Sequence, residues 1–190
     1  MNKSTSTIIF ALFFTLTVLV LGYVMLGLLP MFLFAFGFLG GFILWIIIPT
    51  NVSFNSIKTP FFLALVFFVL HKYEEKKMNF FPRLSEITGV PVPETNSFLV
   101  YLLYAFAFSW LLIPYFMKRG HSFGYYLAWT FFTAMGVTEL AHFFFPFLTT
   151  KPYDYFPGMA TVVILAPTAW WGLYRLSQKT NKKNSKSNRI

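Results

Sequence analysis

The sequence predicts an all-α fold, a multi-span transmembrane helical bundle of about six spans, on three observations. Of 190 residues, 57% are hydrophobic and 11% charged, against roughly half and a quarter in ordinary soluble domains. The apolar residues gather in runs of about 20, the length an α-helix needs to cross the hydrocarbon core of a bilayer. The runs end at prolines and at basic residues, the usual punctuation of span ends. A single helical membrane domain over residues 1–176 and a basic polar tail over 177–190 account for the chain.

The first run, Thr7 to Leu28, follows Lys3 and a polar stretch without a small-residue cleavage pattern, so it reads as an anchor and not a removed signal. The second, Met31 to Ile48, is bracketed by Pro30 and Pro49. Its Gly40-Gly41 pair permits a kink or a close helix contact. The third, Thr59 to Lys76, closes on His71-Lys72-Tyr73-Glu74-Glu75. The segment from Met78 to Asn96 carries Pro82, Gly89, Pro91 and Pro93 and cannot be one helix. The fourth run is Ser97 to Phe116. The fifth, Ser122 to Leu148, contains Glu139 and His142, and the sixth, Gly158 to Leu176, ends near Trp170, Trp171 and Tyr174, which suit the membrane interface.

The net charge of +9 sits at run ends and in the tail, where topology and anionic lipid head groups explain it without a nucleic-acid partner. Counting basic residues on the two sides of a six-span bundle places Lys3, Lys58, Lys118, Arg119, Arg175 and the tail together. Both termini are therefore expected to be cytoplasmic, in a bacterial-type cell membrane. The absence of cysteine excludes disulfides, thiol catalysis and cysteine-ligated metal.

Three of the six carboxylates and two of the three histidines lie in two short motifs, His71 to Glu75 and Glu139 to His142. Each spaces a histidine and a glutamate three residues apart, which on a helix sets both on one face. Glu139 follows an uncharged stretch, Phe123 to Thr138, and an ionisable group at that depth demands a partner and a purpose. About 100° of rotation per residue brings His71, Glu74 and Glu75 into one sector and turns Lys72 and Tyr73 away. Spans three and five run in the same direction, so both motifs lie toward one face of the membrane, at depths that differ by roughly 8 Å at 1.5 Å per residue and that tilt can bring together. Imidazole and carboxylate together suit a divalent metal, zinc or iron. His71, Glu74, Glu139 and His142 are the expected ligands. Glu75 is the expected general base, and Tyr155 a hydrogen-bond donor into the site or an interfacial anchor. Asp154 reads as a cap or an outer ligand. His121, beside Gly120, belongs to a turn on the opposite side.

These motifs resemble those of the HXXEE-domain integral membrane proteins. His71-Lys72-Tyr73-Glu74-Glu75 matches the motif that names the family, His142 stands at its further histidine, and Tyr155-Phe156-Pro157-Gly158 matches its YXPG motif, with order and spacing agreeing over about residues 71–176. The resemblance implies the same helical membrane architecture and marks His71, Glu74, Glu75, His142, Tyr155, Pro157 and Gly158. It implies no reaction, and Glu139 is outside it.

The function expected from these residues is metal-dependent hydrolysis of a lipid or other amphiphilic small molecule that enters from the bilayer. Three alternatives stand beside it: a non-catalytic carrier or ion and proton pathway, a metal-free acid/base isomerase, and an iron-dependent oxidoreductase.

Overall fold

The structure, a computed structural model, describes residues 3–94 and 96–178, so nearly all of the expected basic tail lies outside the described residues. All regular elements among the described residues are helical. They are α1 (Thr5–Leu26), α2 (Leu28–Phe34), α3 (Gly40–Ile47), α4 (Phe54–Lys77), α5 (Phe80–Thr88), α6 (Phe98–Phe108), α7 (Ile113–Lys118), α8 (Ser122–Gly136) and α9 (Met159–Ser177). A π-helical turn, Ala35–Leu39, joins α2 to α3, and 3₁₀ segments occupy Ser109–Leu112, Thr138–Phe143 and Phe145–Leu148.

Among the described residues, four helices are long and apolar enough to cross a membrane: Thr5–Leu26, Leu28–Ile47, Phe54–Lys77 and Phe98–Lys118. They coincide with the first four expected spans. The fifth expected span divides instead into α8, which at 15 residues is about 22 Å long, and the two 3₁₀ segments that follow it. The sixth is one continuous helix, α9. Its threonines, Pro167, Trp170, Trp171, Tyr174 and Arg175 dilute its aliphatic residues, and it is not among the four.

Every residue of α8 is buried, the expected result for a helix apolar on all sides. It is the axis of the molecule, with α3, α7 and α9 packed along it. Polar side chains of α8 find partners on α1, on the 3₁₀ segment before α7 and in the stretch between α3 and α4. Thr15 and Tyr126 hydroxyls lie 2.8 Å apart, Trp110 Nε1 donates to Thr130 Oγ1 (3.2 Å), Trp129 Nε1 to Thr50 Oγ1 (2.9 Å), and Tyr125 to the Val52 carbonyl (3.0 Å). In a low-dielectric interior each such group is costly if left alone, so the pairs fix the register of the packed helices.

The glycine pair of the second span makes a close contact rather than a break. A Cβ on Gly41 would stand 2.6 Å from Thr130 Cα on α8, and the pair forms the first two residues of α3. The irregular turn lies just before it, where Gly37 faces Thr138 and Ala134. Thr138 Oγ1 also donates to the Leu33 carbonyl (2.9 Å), tying the end of α8 to α2.

Candidate metal centre

Two elements bring the ionisable residues together. On α4, His71 and Glu75 are four apart and share the face turned to the core, in front of α9. Beyond α8 the chain tightens into the 3₁₀ segment Thr138–Phe143. At three residues per turn this stacks Glu139 directly over His142. His71 is fully buried, and His142, Glu75 and Glu139 are 2%, 7% and 8% exposed. The two imidazole rings stand edge to face with centroids 4.7 Å apart. The rings of Phe80, Phe145 and Phe156 surround His142.

The donor atoms alternate around a ring. His71 Nε2 lies 3.2 Å from Glu75 Oε1 and 3.1 Å from Glu139 Oε2. His142 Nε2 lies 3.4 Å and 3.3 Å from the same two oxygens. These four residues form a group that can hold a metal ion, with one ligand atom from each and all of them within 4.8 Å of one another.

The opposite nitrogens decide what the Nε2 atoms carry. His142 Nδ1 is 2.5 Å from the Pro157 carbonyl, which only accepts, so Nδ1 holds the proton. His71 Nδ1 is 2.8 Å from Thr161 Oγ1. The other neighbours of that hydroxyl, Glu74 Oε2 at 2.6 Å and the Gly158 carbonyl at 3.2 Å, are acceptors. Thr161 donates its one hydrogen to an acceptor and receives that of His71. With Nδ1 protonated on both rings, each Nε2 faces two carboxylate oxygens, and only a cation there, a metal ion or a second ring proton, makes that arrangement favourable.

Glu74, expected among the ligands, stands outside this group. Its carboxylate accepts from Gly158 N (2.9 Å), Ala160 N (3.3 Å), Thr161 N (3.0 Å) and the hydroxyls of Thr161 and Tyr155. It caps α9 from a neighbouring helix, where orphan N–H groups and the positive end of the helix dipole favour an anion. Glu75, expected as the base, takes the inward position. Tyr155 donates to Glu74 and not into the ring of donors, and burial followed by that carboxylate raises its phenol above the ordinary value. Asp154 accepts from Tyr155 N (2.6 Å) within its own loop. His121 caps α8, with Nδ1 accepting from Phe123 N (3.2 Å).

Three contributors escaped the sequence reading. Lys72 does not turn away: its ammonium lies 2.7 Å from Glu75 Oε2 and 3.8 Å from Glu139 Oε1. The three-residue spacing from Lys72 to Glu75 was the available signal. The YXPG resemblance marked Pro157 but not the role of its carbonyl, and Thr161 carried no signal, because both roles depend on where the α9 terminus docks. Gly158 joins the two shells. Its φ is +102°, and a Cβ there would stand 2.5 Å from His142 Nδ1 and 2.6 Å from His71 Cε1.

No family model, curated protein or solved structure matches the chain.

Proposed function

We propose that the chain is a small integral membrane metalloprotein whose His71, Glu75, Glu139 and His142 hold one divalent ion, and that it hydrolyses a lipid or other amphiphile at that ion. The carrying observation is the convergence of two imidazole Nε2 atoms, each with its Nδ1 engaged elsewhere, and two carboxylate oxygens in a buried space. Their N···O separations are 3.1 to 3.4 Å and all four donor atoms lie within 4.8 Å of one another, close enough for one ion with bonds of about 2.0–2.1 Å to draw them in. Glu74, Glu75 and Glu139 against Lys72 leave two negative charges, which a divalent ion balances.

A divalent ion held by these four donors would supply Lewis acidity by expanding to take a water or substrate oxygen as a fifth ligand, lowering the pKa of such a water toward about 7. The chain's own residues orient and shield. Thr161 and the Pro157 carbonyl hold the imidazoles, the three phenylalanine rings keep the His142 side dry, and Lys72 marks the more open side, its side chain 41% exposed. Apolar helices give a bilayer-borne substrate its route, and the motif resemblance to HXXEE-domain proteins agrees with a site at His71, Glu75 and His142. A second reading has one observation in its favour: the same separations are hydrogen-bond lengths once the Nε2 atoms are protonated, as in a proton pathway.

Elemental analysis of the purified chain separates the two. One equivalent of zinc or iron in the wild type, lost in both His71→Ala and His142→Ala, is the expected result, together with ester or phosphoester cleavage in micelles that follows metal content. Wild type purified without chelator and free of metal overturns the metal reading and leaves the proton pathway.

A further inference from the structure

Each carboxylate of the donor ring divides its two oxygens between two tasks. Glu75 turns Oε1 to both imidazoles and Oε2 to Lys72, and Glu139 turns Oε2 to both imidazoles and Oε1 to Lys72. One ammonium thus faces the outer oxygen of both, through a hydrogen-bonded ion pair at 2.7 Å and a looser one at 3.8 Å. A carboxylate whose outer oxygen is engaged in this way offers an ion one bond instead of two. Calcium takes six to eight oxygen ligands and magnesium demands an octahedron, whereas zinc is satisfied by four donors of nitrogen and oxygen.

Building on the proposed metal site, we infer that Lys72 is its specificity-determining residue. It holds both carboxylates to one bond each, and so selects a four-coordinate ion of the zinc type over six-coordinate ions such as manganese(II). Lys72 touches neither the ion nor the imidazoles; it acts through the two glutamates. The Phe68 ring one turn earlier on α4 supports this posture, its centroid 5.5 Å from the ammonium.

The test uses cobalt(II) as the probe ion in the purified full chain in detergent, with Lys72→Met, Lys72→Arg and His142→Ala beside the wild type. Four-coordinate cobalt absorbs intensely in the visible range and six-coordinate cobalt weakly. The wild type is expected to give the intense spectrum and Lys72→Met the weak one. The preference for zinc over manganese, from competition titration, should fall about 10- to 100-fold in Lys72→Met, the usual effect of losing an outer-shell partner. Lys72→Arg, which keeps the charge at the same place, should retain the intense spectrum and more of the preference than Lys72→Met. An unchanged spectrum in Lys72→Met, with zinc preference within about twofold of wild type, overturns the inference while leaving the site intact. If Lys72→Met does not fold, a wild-type spectrum of the weak, six-coordinate kind overturns it as well. Cobalt bound equally by wild type and His142→Ala, or by neither, overturns the site reading itself.

Discussion

Glu74 and Glu75 are chemically identical neighbours with different work, and the difference is testable one residue at a time. Glu75→Gln removes a donor from a buried ring and should abolish stoichiometric metal, read by elemental analysis, while the fold persists. Glu74→Gln should leave metal detectable but destabilise the chain by about 3 kcal/mol, because it weakens an ionised acceptor that serves three backbone N–H groups and two hydroxyls. A thermal melt checks it. Thr161 supplies a sharper test. Thr161→Val keeps shape and removes the hydroxyl that fixes the His71 tautomer, so metal affinity by chelator competition should fall about 10- to 100-fold. Thr161→Ser should retain it.

At the scale of elements, the site depends on a change of helix type. An α-helical turn offers both the third and the fourth neighbour, so on α4 His71 can pair with either glutamate, and the sequence spacing alone does not choose. The choice follows from packing: the start of α9 engages Glu74, leaving Glu75 to face inward. The second motif has no such freedom, since a 3₁₀ turn aligns only the third neighbour. The tightening itself was not legible, because Thr138 to Phe143 carries no proline or glycine to announce it. The close contact of α3 with α8 is a separate matter from the site. Gly41→Ala should therefore lower the thermal midpoint, by about 1–3 kcal/mol of overpacking, and leave metal stoichiometry unchanged.

For the molecule as a whole, composition made the helical class and the first four long apolar helices readable, because lipid and protein interiors select the same residues. That equivalence also set the limit. A helix buried on every side, such as α8, reads like one facing lipid, so the fifth expected span was drawn as one long segment where the structure has three shorter ones. The donor residues were legible for the opposite reason: a few ionisable groups stand out against an apolar background. Their outer partners, a threonine and a proline carbonyl, did not. The centre joins α4 to the segment after α8, so bound metal should stabilise the whole assembly. Free ion at about 1,000 times its dissociation constant contributes about 4 kcal/mol, and chelation should lower the thermal midpoint of the wild type but not of His142→Ala.

All four donors are encoded by residue 142, yet the hydrogens that define them are placed by Pro157 and Thr161, with Gly158 between. During synthesis, then, the donor atoms exist before their chemistry does. A nascent chain stopped short of α9 would carry every ligand and still leave both imidazoles free to exchange tautomers. Competence arrives with α9, and the proposed ion, when it binds, registers that α9 has docked.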